Sequence, residues 1–126
     1  MTGDSTSKPL IWVGSSRRDF REFPGEVKSE MGYALYVAQS GGRHRKAKTF
    51  KGAGDAGVVE IAEDHRGGTF RAIYTVRFAS AVYVLHAFQK KSKTGVATPK
   101  LDIRLIEQRL READRLHKEI KNDDTH

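Results

Sequence analysis

Four residues carry groups that can act on a phosphate ester: Glu60, Arg71, His86 and Lys90. An imidazole whose pKa lies near neutrality can take or give a proton. A guanidinium fork suits a phosphate oxygen, including one gaining charge in a transition state. An ammonium holds phosphate as a point charge, and a carboxylate can accept a proton or orient a neighbouring cation. Arg71 lies inside the strand-like run TFRAIYTV (69–76), where an arginine must pair, snorkel or face an open site. Glu60, in VVEIA (58–62), is its candidate structural partner, so two roles are open for Arg71: phosphate ligand or half of an ion pair.

The run AVYVLHAFQ (81–89) continues into KKSKTG. Under the two-residue period of a strand, His86, Phe88 and Lys90 share one face, while Leu85 and Ala87 share the other. Phe88 can stack a base, and Lys91 and Lys93 follow close behind. A lone strand histidine is also a common structural residue, and Tyr74 could stack or donate its hydroxyl, although a half-buried tyrosine is the commoner case.

Charge gives these residues a context. The 126-residue chain has a net charge of +7 at neutral pH. Such a surface favours a polyanionic partner, nucleic acid or an acidic protein. The excess sits in two clusters. GGRHRKAKTFK (41–51) holds Arg43, Arg45, Lys46, Lys48 and Lys51 without an acid, and the stretch 89–100 holds Lys90, Lys91, Lys93 and Lys100 without one. The absence of cysteine removes disulfide, thiolate nucleophile and thiolate zinc chemistry. The histidines show no HxH or HxxxH spacing, so no metal and no cofactor are expected. GAGDAG (52–57) matches G-x-G-x-x-G but lacks the preceding strand and following helix of a dinucleotide site, and reads as a mobile loop. No run is apolar enough to span a membrane, and MTGDSTSK lacks a signal-peptide core, so a cytoplasmic location is expected.

The elements that must position these groups follow from periodicity. LIWV (10–13) is a short strand, with Ser15 and Ser16 as candidate helix caps. A helix over 17–23 is followed by a second that Pro24 opens and Ser40-Gly41-Gly42 stop. Phe20, Phe23, Val27, Met31, Leu35 and Ala38 lie on one face of this pair. Three strands over 58–62, 69–76 and 81–89, joined by short turns, predict an antiparallel meander. Thr98 and Pro99 open a final helix to about Ile120, with Ile103, Ile106, Leu110, Ala113 and Leu116 as its apolar stripe. The expected fold is α+β, in the order β-α-α-β-β-β-α: a small antiparallel sheet with the N-terminal helical hairpin on one face and a C-terminal helix. The other face is expected to be partly open. Residues 1–8 are expected to be a disordered tail, 9–120 one domain and 121–126 a flexible end.

GVVEI, then Gly68, Arg71 and Tyr74 in G-x-x-R-x-x-Y, then VYVLHAFQKKSKTG with TP before a last helix, resemble the RelE/ParE toxin superfamily. Within it, the LHAFxKK stretch is similar to the HigB-like, phage-related branch, over roughly residues 9 to 118. The resemblance implies the RelE-like fold and the toxin of a type II toxin–antitoxin pair. It implies ribosome-dependent cleavage of messenger RNA by metal-independent attack of a 2′-hydroxyl on the adjacent phosphate, held in check by a cognate antitoxin, commonly a helix-turn-helix protein. Arg71 matches the family arginine for the phosphate. His86 and Lys90 are then the proton-transfer or electrostatic groups, and Phe88 and Tyr74 position bases. Lys91, Lys93 and the basic loop from Arg43 to Lys51 contact backbone. Some relatives place catalytic lysines along the first meander strand, where this chain has Glu60 and Ala62, so Glu60 either serves as base or orients Arg71. Two other readings remain: a ParE-like poison of DNA gyrase, and a catalytically inert basic module that binds RNA or protein.

Overall fold

The structure, a computed structural model, describes residues 7–90 and 98–124. The expected tail at 1–6, Lys91, Lys93 and the last residues of the expected flexible end therefore lie outside the described residues.

Strand β1 (Leu10–Trp12) leads into α1 (Ser16–Arg21) and α2 (Gly25–Gln39). Ser15 precedes α1 and its hydroxyl donates to Asp19 Oδ2 at 2.9 Å, inside the first turn. Pro24, with φ −56° and ψ 150°, sets the entry to α2. Val27, Met31, Ala34, Leu35 and Ala38 form the buried stripe of α2. Its end is enforced by Gly41 at φ 90°, which turns the chain so that the Gly42 N–H reaches the Val37 carbonyl at 2.9 Å.

Four more strands follow: β2 (Lys48–Thr49), β3 (Val58–His65), β4 (Gly68–Thr75) and β5 (Val82–Lys90). The β3–β4 turn has Arg66 at φ 50° and Gly67 at φ 84°, the two left-handed positions of a tight hairpin. The helix α3 (Lys100–Asp124) closes the order and passes the expected stop at Ile120. The sheet order is β1-β5-β4-β3-β2.

The sheet departs from expectation in its pairing, its cover and its register. The meander is antiparallel as expected, but β1 adds to β5 in parallel, Ile11 opposite Tyr83, and makes the sheet mixed. A parallel partner is joined by a long crossover and leaves no local trace in the sequence. β2 is also new, a two-residue pairing of Lys48 with Glu60 and Thr49 with Val59 inside the basic loop.

The second face is not open. The helical hairpin covers one side through Val59, Ile61, Ala72, Tyr74, Val82 and Val84. On the other, Ile106, Leu110 and Ala113 of α3 pack on Val58, Ile73, Tyr83 and Leu85. The unbroken apolar run Val82 to Leu85 has no solvent side to offer, so both faces need a cover.

The third departure is a bulge. Ile73 pairs with His86 and Tyr74 with Val84, which leaves Leu85 as an extra residue in β5. Leu85 joins the α3-side core while Ala87 joins the hairpin side, so the two do not share a face. Leu85 and His86, though adjacent, both turn toward α3.

Gly14 shows how closely α3 is seated. It sits at φ 58°, and a Cβ there would lie 2.7 Å from Arg109 Nε. A left-handed non-glycine residue costs about 1–2 kcal/mol before any clash. Gly14→Ala is therefore expected to lower the unfolding free energy by about 2 kcal/mol or more, read as a fall in the urea midpoint at constant m-value.

Candidate functional site

Register places the candidates in rows across the α3-facing side. Glu60, Ile73 and His86 form one row; Ala62, Arg71 and Phe88 the next; Asp64, Thr69 and Lys90 the third. Ile73 belongs to the α3-side core, and its row and the alternation along each strand fix the side for the others. Glu60, Arg71, His86, Phe88 and Lys90 thus come together on one face, and Lys48, opposite Glu60, flanks them.

Arg71 and His86 are both engaged by carboxylates. Arg71 Nη1 is ion-paired with Glu60 Oε2, both side chains being largely buried. This is the structural pairing that the sequence left open. Arg71 Nε is also buried, and among the described residues it has no hydrogen-bond partner. A buried donor without an acceptor carries a cost that an incoming oxygen would relieve.

His86 is only 7% exposed and its Nε2 lies 2.7 Å from Asp102 Oδ1, on the first turn of α3. Its ring stacks on Phe88 with centroids 4.7 Å apart and planes within 18°. Burial lowers the His86 pKa from its ordinary value, and this outweighs the opposing pull of the Asp102 carboxylate; Arg109 lowers it further and Asp19 raises it. The ring is accordingly neutral at physiological pH, with Nε2–H donating to Asp102 and Nδ1 as the basic nitrogen. Arg109 Nη1 stands 3.5 Å from that Nδ1 and donates to the Leu85 carbonyl at 2.9 Å. Arg109 Nη2 donates to Ser15 Oγ at 2.8 Å, which links α3, β5 and α1.

Asp102 and Arg109 were not among the sequence candidates. A signal did exist: Asp102, Ile106 and Arg109 fall at i, i+4 and i+7, so a charged residue stands on each side of Ile106 along one helix face.

A cleft of about 340 Å³ opens beside the stacked pair, lined by Asp19, Glu22, Phe23, Phe70, His86, Ala87, Phe88 and Gln89. It runs along the part of β5 that β1 leaves uncovered, since the β1 pairing ends at Val84. Phe88 is half-buried at its wall, and Lys90 is buried.

Other candidates are placed elsewhere. Tyr74 is 1% exposed in the hairpin-side core, across the sheet from Arg71. Burial raises its pKa to about 12, against a smaller lowering by Arg43. In this position it is closed to a base. The basic loop is divided by β2. Lys48 faces the site, and Lys51 begins a 3-10 turn whose Gly52 lies close to Ile103 of α3. Lys46 instead pairs with Glu63 at 3.1 Å, and Arg43 reaches Thr49 Oγ1 at 3.4 Å, both on the hairpin side. The glycine-rich 52–57 stretch is tied down: Asp55 accepts from the Gly57 N–H at 2.7 Å and pairs with Arg77 at 2.7 Å.

Residues 18–111 match the model of the phage-derived Gp49-like protein family. The chain belongs to that family. The phage-related kinship read from Arg71, Tyr74 and the LHAFQKK stretch is met at this level. No curated protein matches this Gp49-like chain. Among solved structures it is similar to the free state of a mutant of the E. coli toxin RelE, at 16% identity over 64% of this chain and 81% of that one, with a TM-score of 0.49. It is also similar to a chain of the toxin–antitoxin complex RelBE2 from Mycobacterium tuberculosis, at 17% identity over 69% and 95%, with a TM-score of 0.43. At these levels neither structure bears on residue roles in the Gp49-like chain.

The lowered His86 pKa has a consequence for stability. Below its ordinary value of 6.5, the unfolded chain binds a proton that the folded Gp49-like protein resists. The contribution of His86 is therefore fully present above pH 6.5 and lost as pH falls below it. His86→Gln is expected to flatten this acid limb. Urea midpoints at about pH 7.5 and about pH 5.5 test it, and an equal acid loss in both proteins would place the effect elsewhere.

Proposed function

We propose that this Gp49-like protein is the toxin of a type II toxin–antitoxin pair and an endoribonuclease that cuts ribosome-bound messenger RNA. The observation that carries the reading is the set of rows on the α3-facing side, where Arg71 stands between Glu60, His86 and Lys90 on three adjacent strands. Cleavage by an internal 2′-hydroxyl forms the new P–O bond and expels the 5′-oxygen of the next nucleotide. One proton must leave the 2′-oxygen and one must reach the leaving oxygen, with extra negative charge on the phosphorane between. His86 Nδ1 is the proton acceptor, Asp102 stabilises the imidazolium that results, and the ring then returns the proton. Arg71 stabilises the phosphorane, with Nε and both terminal nitrogens as donors. Lys90 adds positive charge, Glu60 orients Arg71, and Phe88 stacks a base at the wall of the cleft.

In the resting arrangement Glu60 holds Arg71 and Asp102 holds His86 at Nε2. These partners stay in place during the reaction, and substrate meets Arg71 at Nε and His86 at Nδ1. The second protein partner is an antitoxin, with a helix-turn-helix architecture expected by resemblance.

A second reading, an inert RNA- or protein-binding module, draws on the same closure: His86 and Arg71 are paired and largely buried, as structural residues are. Primer extension on ribosomes programmed with a defined message separates the two. Ribosome-dependent cuts that His86→Ala and Arg71→Ala suppress in folded protein support the nuclease. An uncut message with well-folded wild type supports the module, or a gyrase poison, for which stalled gyrase–DNA complexes are the assay.

A further inference from the structure

Tyr33 and Tyr36 stand on the side of α2 away from its buried stripe, 58% and 59% exposed. Their rings are stacked, with centroids 6.4 Å apart and planes within 28°. Beside them a hollow of about 320 Å³ is lined by Tyr33, Val37, Arg43, His44 and Arg45.

The hollow is built around His44. Its Nδ1 accepts the Lys46 backbone N–H at 3.1 Å, so Nε2 carries the proton and faces Glu30 Oε2 at 3.1 Å. The ring is 4% exposed and meets the Tyr33 ring edge-on at 5.7 Å. Pinning His44 fixes the backbone between Arg43 and Arg45, and it engages the Glu30 carboxylate. Neither Arg43 nor Arg45 has an ion-pair partner among the described residues. The surface therefore offers flat aromatic faces next to two exposed guanidinium groups.

We propose that Tyr33, Tyr36, Arg43 and Arg45 form a second RNA-binding surface, which stacks unpaired bases and holds their phosphates. Base–aromatic stacking and guanidinium–phosphate pairing are the two interactions by which single strands are held without sequence readout. An acidic polypeptide would satisfy the arginines, but parallel exposed rings match the flat faces of unpaired bases more closely than they match carboxylate side chains. Thr49, to which Arg43 reaches, pairs with Val59 of the hairpin-side core, so this surface lies across the sheet from Arg71 and His86. It grips a stretch of RNA other than the one being cut. The inference rests on the ribonuclease reading for its biological sense, but its chemistry can be tested alone.

The probe is a short, labelled, fully 2′-O-methylated RNA, which cannot be cleaved, titrated with full-length protein and read by fluorescence anisotropy. Tyr33→Ala/Tyr36→Ala is expected to weaken binding about tenfold or more, at about 1–3 kcal/mol for each stacked base. Tyr33→Phe/Tyr36→Phe should restore it, since the ring and not the hydroxyl is used. Arg43→Ala/Arg45→Ala should weaken binding and flatten its salt dependence. Poly-L-glutamate, which has charge and no rings, should be affected by the arginine pair and not by the tyrosine pair. RNA affinity unchanged in the tyrosine double variant overturns the proposal, as does an equal loss of poly-L-glutamate binding, which would make this an acidic-polypeptide site. Tyrosine-dependent binding by a wild-type protein that cuts no message would remove the nuclease and leave the surface standing. Thermal melts control for folding, including the loss of the Tyr33 edge contact with His44.

Discussion

Arg71→Ala is expected to reduce ribosome-dependent cleavage about 10²–10³-fold, the loss seen when one preorganised electrostatic donor is removed from a transition state. The same substitution strands Glu60, only 11% exposed on its side chain, without its cation. Breaking a buried pair from one side costs about 3–5 kcal/mol. Lost activity alone would therefore say little. Arg71→Lys separates the two effects: it keeps a positive charge for Glu60 but replaces the planar fork with a point charge. The expected result is a urea midpoint near wild type with cleavage still reduced at least about tenfold. Glu60→Gln completes the set. If Glu60 only orients Arg71, this variant retains most activity; if it is the base, activity falls as far as in Arg71→Ala. Full cleavage by a folded Arg71→Lys protein would make the ion pair structural and remove Arg71 from the chemistry.

The second large effect concerns His86. His86→Ala is expected to lower cleavage about 10²–10⁴-fold, the usual contribution of a positioned acid–base group. Asp102→Asn is the sharper experiment. The amide oxygen can still accept from His86 Nε2–H and keep the ring in place, but the charge that stabilises imidazolium is gone. Asp102 raises the His86 pKa, so its neutralisation lowers that pKa further. The acid limb of the pH–rate profile should move to lower pH, while the maximal rate falls about 10–100-fold, the range for losing an orienting partner. A drop in rate with no movement of the limb would make Asp102 a fastening for α3 and not a partner in proton transfer.

Much of this arrangement was legible in the sequence. The helices α2 and α3 announce themselves because their apolar residues recur at three and four, and the meander because short turns separate β-branched runs. Simple alternation was enough to bring His86, Phe88 and Lys90 to one side. It failed at Leu85, because a bulge adds a residue that only the partner strand can reveal. The parallel seat of β1 and the cover that α3 gives to the second face are tertiary facts, set by which surfaces remain apolar once the meander is paired. Tyr74 is a different lesson. It stands an odd number of residues from Arg71, so the strand period alone assigns it to the opposite face; its place among RNA contacts came from the family pattern and not from the geometry. Asp102 and Arg109 are two among many charged residues of a long helix. Their charge became meaningful only once α3 was known to lie over His86.

The parallel pairing of β1 with β5 also orders events in time. The hairpins β3–β4 and β4–β5 close short loops, so little chain entropy stands against them. β1 has no strand to lie on until Val82 to Val84 exist and are paired, and its partner across Ile11 is Tyr83. Non-local contacts of this kind form late and slow the whole process. During synthesis the residues made first are thus seated last. A chain released before β5 is complete has no place for its own beginning, and truncated products of this protein lack the edge that finishes the sheet.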